Sequence, residues 1–390
     1  MEQSKEPTLQ RHIQSWLDDQ IGIGRMAGGL VVVLRSGAEH AFAAAGVCDA
    51  EGQLPITRDT IFRIYSMTKP ITAVAALMLV DDGLLSLDSP VRDFIPSMAK
   101  LRVQGWPDDE VTVTIRHLLT HTSGFIYSDS EDAVGKRYLA ESTNFGRSDG
   151  SLAEICERLS LIPLAFEPGT SWRYGVSLDV LGRVIEIVTG TTLDQFLKLR
   201  VFDPLGMVDT SFTVPASKAQ RLAALYEVAE SSSDDAATLH LVSARGSDVA
   251  EGAVTTFSGG AGLSSTIDDY LRFAEMLRLG GLADGQQILS PAMAQEMATN
   301  QLPGDLVSAG QTTFNETTKE GIGYGFGVSV VIDAERTLWL TNNGEIAWGG
   351  AASTAFWVDP STDTTVVLLT QVLPSSQYPF RAELRAIVNS

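Results

Sequence analysis

The sequence is poor in cysteine, in histidine, in basic charge and in long apolar runs. Its 390 residues hold two cysteines, Cys48 and Cys156, and no C-x-x-C pair. That excludes a disulfide framework and fits two free thiols in a reducing compartment. Five histidines leave little material for a metal site. His117 and His121 stand four apart in IRHLLTHTSG, without the glutamate of a zinc-protease helix and without an obvious third ligand. We read them as helix-end histidines making structural hydrogen bonds, and expect no metal and no cofactor. The 28 basic side chains face 48 acidic ones, a net charge of −20. Such a surface argues against nucleic acid and against anionic lipid as partners. The longest apolar run, Ile71 to Val80, is about half the ~20 residues that a membrane span needs. The opening MEQSKEPTLQRHIQSWLDD is polar, carries early acids and lacks the apolar core of a signal peptide. The expectation is a cytoplasmic protein, in which the sequon Asn315-Glu316-Thr317 carries no glycan.

What is present is 44% hydrophobic residues, enough for a large core. Residues 29–47, GLVVVLRSGAEHAFAAAGV, read as a hairpin around Ser36-Gly37. Near the other end, 325–332, 337–341, 354–358 and 364–370 read as successive strands, with DPSTD as the last turn. Tyr378 to Val388 reads as a closing helix. The middle is helical. Ile71 to Asp82 ends at Gly83, Ser151-x-x-Glu154 is a capping box, Leu178 to Val188 ends at Thr189-Gly190, Thr192 opens another helix, and Thr266 to Leu279 is a further one. Polar stretches at 229–236 and 304–320 read as surface loops. Strands at both ends must bury their faces together. The spacing therefore predicts an α+β fold with an antiparallel sheet flanked by helices. Residues 1–75 and 250–390 form an α/β lobe, and 76–249 form an inserted, mainly helical lobe.

Two S-x-x-K matches occur, Ser66 to Lys69 and Ser97 to Lys100. Ser66 opens a long apolar helix, where i and i+3 share a face and hydroxyl and amine can meet. A helix N-terminus also offers free N–H groups and a positive dipole end to a developing oxyanion. From this pattern alone, Ser66 reads equally as an N-cap with Lys69 solvated. Ser97 has no helical continuation and reads as a loop serine. Gly146-Arg147-Ser148-Asp149-Gly150 fits G-x-S-x-G, but AESTNF before it is polar and no helix follows at once. It reads as a surface loop.

Several segments in order then carry a resemblance: FRIYSMTKPITAVAALMLVDDGLLSLDSPV, IRHLLTHTSG, FEPGTSWRYGVSLDVLGRVIE, VFDPLGM and GGAGLSSTIDDYLRFAEML. From about Phe62 to the C-terminus, the chain resembles the serine β-lactamase-like superfamily of class C β-lactamases, DD-peptidases and family VIII carboxylesterases. The resemblance implies the β-lactamase/DD-peptidase-like fold, with a cleft between the lobes. It makes Ser66 the acylated nucleophile, Lys69 its lysine, and Tyr174 the tyrosine of the Y-x-N motif. Val176 stands where that motif has asparagine. The K-T-G motif is absent, and Trp348-Gly349-Gly350-Ala351 stands in its place. S-M-T-K, a tyrosine without a strict asparagine, and a late W-G-G are the pattern of family VIII carboxylesterases. Ser142-Thr143-Asn144 fits S-x-N, but the flanks of Tyr174 match better.

By that resemblance the oxyanion donors are the backbone N–H groups of Ser66 and Ala351. Gly349 and Gly350 then let backbone approach substrate closely. Trp348 reads as a pocket wall with one N–H donor, and Tyr127 and Trp172 as pocket-lining residues. Asp179 reads either as a support behind Tyr174 or as a surface helix acid. Either Lys69 or Tyr174 can serve as the base. The expected substrate is a small ester with a short acyl chain. The rivals are a β-lactamase or D-amino-acid peptidase, a transesterase, and a binding protein with a relict site.

Overall fold

The computed structural model describes residues 6–128, 133–228, 239–245, 248–310, 313–314, 317–318 and 320–389. Asn315 of the sequon, the polar stretch 229–236 and parts of 304–320 lie outside the described residues.

After a first helix α1 (Glu6–Gly22), the chain forms the hairpin β1 (Gly28–Arg35) and β2 (Ala38–Asp49). Its turn is Ser36-Gly37, both residues at positive φ, the geometry that matches strand twist. A short edge strand β3 (Leu54–Pro55) follows. The rest of the sheet comes from the other end: β4 (Ile322–Tyr324), β5 (Ser329–Val331), β6 (Ile346–Gly349), β7 (Ala355–Asp359) and β8 (Thr364–Thr370). The order is β4-β5-β6-β7-β8-β1-β2-β3 and every pairing is antiparallel. The two ends join where β1 meets β8, from Gly29 opposite Thr370 to Arg35 opposite Thr364.

The run LVVV of β1 does not alternate because both sheet faces are covered. Leu30 and Val32 face the main core with α2 (Thr68–Asp81). Val31 and Val33 face α1 and the closing helix α6 (Phe380–Val388). Each fully buried aliphatic side chain here is worth about 1.5–3 kcal/mol. Helix α2 is buried from Thr68 to Leu79, which is why its sequence is apolar all round. Between the sheet halves lie α3 (Leu152–Leu159), opened by the Ser151–Glu154 capping box, α4 (Ser177–Thr189), stopped by Gly190 at φ 67, and α5 (Ile267–Arg278).

Two strand expectations fail. Residues 337–341 form no strand: Leu338 and Leu340 are 75% and 56% exposed, with no partner strand to cover them. The strand instead lies at Ile346–Gly349. The stretch 325–332 is not one strand either, since Gly327 at φ 76 turns the chain between β4 and β5. Thr192 does precede a helix, Leu193–Leu197, but its side chain makes no capping bond.

Candidate active site

Ser66 sits in a 3-10 turn, Tyr65–Met67, that leads directly into α2. Neither that turn nor α2 has a side-chain cap, so the N-cap reading of Ser66 does not hold. Tyr65 takes φ 44, which bends the chain sharply at the serine. The Tyr270 hydroxyl donates to Met67 O at 2.9 Å and Leu263 N–H donates to Thr68 Oγ1 at 3.1 Å. Those bonds pin the turn on its far side.

Lys69 follows one turn later and is fully buried. Its Nζ donates to Ser66 Oγ at 3.3 Å, Tyr127 Oη at 2.9 Å and Gly260 O at 2.8 Å. It also lies 4.4 Å from the centre of the Tyr174 ring, a cation–π contact. Behind Gly260 is Asp179, which is buried and not a surface acid. Its Oδ1 accepts from Ser258 Oγ at 2.5 Å and from Gly260 N–H at 3.0 Å. Burial pushes its carboxyl up to about 6, against the pull of Lys69's charge and these bonds. Asp179 thus holds the loop whose carbonyl receives Lys69.

Tyr174 arrives from the segment before α4. A side chain at Gly175 would strike the backbone of Phe125 and Ile126, so glycine lets the two segments touch. That contact sets Tyr127 and Tyr174 side by side, ring centres 5.5 Å apart. Trp348 is 7% exposed, and its Nε1 donates to Tyr174 Oη at 3.4 Å. Trp172 is no pocket-lining residue: it is fully buried and stacks behind Tyr174 at 6.2 Å. Val176 is fully buried as well, so the asparagine position of this chain belongs to the core.

His121 corrects a further expectation. It lies fully buried among Trp172, Tyr174 and Tyr324, and among the described residues neither ring nitrogen has a hydrogen-bond partner. Burial and the Lys69 charge hold it well below the ordinary histidine range, so it stays neutral. His117 behaves as expected and completes a capping box with Thr114. The sequence reading missed His121's place, the Tyr127–Lys69 bond and Tyr324.

Strand β6 brings the W-G-G turn onto the backbone before Ser66. A side chain at Gly350 would strike Ile64 O and Thr354 Oγ1, and one at Gly349 would strike the Arg381 guanidinium. The glycines are therefore required by packing within the protein rather than by substrate approach. Ala351, next in the turn, is exposed, and its N–H finds no acceptor among the described residues.

A profile of the β-lactamase family matches residues 13–390. The chain belongs to that family. It is 33% identical to esterase EstB of Burkholderia gladioli, over 93% of this chain and 90% of that protein. It is 30% identical to a lovastatin esterase of Penicillium rubens, over 78% of each. Among solved structures, EstCE1, a hydrolase with promiscuous acyltransferase activity, superimposes with a TM-score of 0.85 over 99% of each chain, at 28% identity. These likenesses place the chain in the esterase branch of the β-lactamase family, among carboxylic ester hydrolases.

Within this β-lactamase-family fold, the motifs around Ser142 and Ser148 lie in turns, whereas Ser97 to Lys100, expected in a loop, forms a short 3-10 helix, Pro96–Lys100. Ser148 is exposed in a turn with no strand before it. Ser97 donates to Glu157 at 3.0 Å. Ser142 is exposed, and Asn144 is bonded to Ser128. Among the described residues, no three His, Cys, Asp or Glu side chains could hold a metal, and no helix is long and apolar enough to cross a membrane.

Proposed function

We propose that the protein is a serine carboxylesterase that cleaves short-chain acyl esters through an acyl-enzyme on Ser66. The observation that carries this reading is the Ser66 hydroxyl within 3.3 Å of the buried Lys69 amine. Of the groups around them, Ser66, Lys69, Gly260 and Trp348 come from the expected α/β lobe, and Tyr127, Tyr174 and Asp179 from the expected helical lobe. The site lies at their junction.

In this mechanism Ser66 loses its proton into the Lys69–Tyr174 pair and attacks the ester carbonyl. The pair shares that proton as one unit. The N–H groups of Ser66 and Ala351 receive the oxyanion. The shared proton passes to the leaving alcohol, and the same groups then activate water to release the acid. Trp348 and Tyr174 wall the acyl side. Buried Val176 and the indole at 348 remove the amide and cationic groups that the lactamase motifs offer, which favours esters over β-lactams. Short acyl chains suit a site whose wall residues are large and packed against one another. Partition of the acyl-enzyme to an alcohol instead of water is the natural second activity, in keeping with the acyltransferase activity named for EstCE1.

Ser66→Ala is expected to abolish p-nitrophenyl acetate hydrolysis, and a phosphonate is expected to add to Ser66 by intact mass. Full activity in Ser66→Ala, or nitrocefin turnover that outpaces every ester in an acyl-length series, overturns the proposal.

A further inference from the structure

We propose that Arg381 is a positioning residue for the oxyanion donor, and that α6 acts as a brace for the strand carrying it. The proposal rests on the assignment of the Ala351 N–H as that donor.

Helix α6 packs on the face of the sheet away from α2, yet two of its arginines reach the ends of β6. Arg381 Nη2 donates to Gly350 O and to Thr354 O, both at 3.0 Å. Those two carbonyls stand at the open ends of the W-G-G turn, and the guanidinium fills the space that a side chain at Gly349 would need. One turn of helix later, Arg385 Nη1 meets Glu345 Oε1 at 2.5 Å, with both groups buried. Its guanidinium lies 4.7 Å from the Trp339 ring and 4.3 Å from the Trp357 ring. Glu345 precedes β6 and Gly350 follows it, so one helix ties the strand at both ends.

The consequence for the site comes from one peptide plane. Gly350 C=O and Ala351 N–H belong to the same planar trans unit and point in opposite directions. Arg381 fixes the carbonyl on one side, with a second bond from Ser353 N–H at 3.1 Å. The N–H is thereby aimed the other way, with the Ile64 backbone under Gly350 limiting its tilt. A cation on the carbonyl oxygen also polarises the amide and strengthens its N–H as a donor. Ala351 itself has no side chain that could set this orientation.

The test is Arg381→Met, which keeps most of the stem and removes the guanidinium, alongside Arg381→Lys. Kinetics with p-nitrophenyl acetate are read together with thermal melting. The expected result for Arg381→Met is a kcat lower by roughly 10- to 100-fold with KM changed less than about threefold, since the donor acts on the transition state. Arg381→Lys should recover part of that loss, and free guanidinium should raise kcat in Arg381→Ala. A kcat within about twofold of wild type in folded Arg381→Met overturns the inference, as does a loss borne by KM alone. If Arg381→Met does not fold, Arg381→Gln decides by the same kcat and KM criteria. Activity surviving in Ser66→Ala would instead remove the catalytic assignment beneath it, and is read separately.

Discussion

Asp179 offers a prediction whose sign and size both come from the structure. The perturbation is Asp179→Asn, whose Oδ1 can still accept from Ser258 Oγ and Gly260 N–H. The wild-type carboxyl is held at about 6 in the folded protein, against an ordinary value of 3.8, chiefly because burial penalises its charge. The folded state thus binds this proton more tightly than the unfolded state does. Stability from the group is fully present below about pH 3.8 and is lost as pH rises through 6. The difference of about two pKa units corresponds to roughly 3 kcal/mol by pH 7. His121 runs the other way: buried neutral, it makes the fold less stable as pH falls below its ordinary 6.5. Comparing wild type with Asp179→Asn cancels that contribution. Urea unfolding of both proteins at pH 4.5, 5.5, 6.5 and 7.5 should show the variant gaining on wild type up to pH 6.5 and little further change by pH 7.5. A difference that is flat with pH, or that shrinks as pH rises, refutes the assignment of a strained buried carboxylate.

Gly349→Ala places a methyl group on the Arg381 guanidinium and should lower kcat for p-nitrophenyl acetate by about tenfold or more with the protein still folded, checked by kinetics and circular dichroism. Tyr127→Phe removes the Oη that takes a Lys69 N–H at 2.9 Å; loss of a charge-assisted bond should cost about 10- to 100-fold in kcat/KM. His121→Asn tolerates the positive φ and does not titrate, so unfolding experiments should find less destabilisation between pH 7 and pH 5 than in wild type. Ser148→Ala should leave ester hydrolysis unchanged in the same assay.

The hairpin of β1 and β2 and the helices with strong caps were legible because their signals are local. Ser36-Gly37, Ser151 with Glu154, and Gly190 each set backbone geometry with a neighbour or two. The Thr337–Thr341 error has the opposite cause. TLWLT alternates like a strand, but alternation cannot tell whether a partner strand exists, and Trp339 is packed on Arg385 rather than in a sheet. Helix α1 went unread although Leu9, Ile13, Trp16 and Leu17 have helical spacing; the segment was weighed only as a signal peptide, on its polarity and early acids. At the site, S-x-x-K is local and was visible. Tyr127, His121 and Arg381 meet it only through the fold, across 58, 52 and 315 residues of chain from Lys69 or Ser66. Glycines were misjudged for the same reason: Gly349 and Gly350 looked like room for substrate, and the structure fills that room with Arg381, Ile64 and Thr354.

The arrangement around Lys69 bears on how the proposed proton transfer can run. Gly260 O is an acceptor only, so one Nζ–H is always committed to it. The other two partners, Ser66 Oγ and Tyr127 Oη, are hydroxyls that can donate or accept. A neutral amine then fits with N–H groups on Gly260 and Tyr127 and its lone pair toward the Ser66 hydroxyl. An ammonium fits with an N–H on each of the three. Both charge states occupy one geometry, so the proton of Ser66 can be taken and held without side-chain rearrangement. The Tyr174 ring face lies 4.4 Å from Nζ, a cation–π contact for the amine once it is charged. His121 stays neutral and adds no competing charge. Meanwhile the Trp348 N–H donates to Tyr174 Oη, so the tyrosine oxygen is the acceptor in that bond. On this account the indole that replaces the K-T-G lysine does more than close the pocket: it hydrogen-bonds the tyrosine of the relay without bringing a second cation.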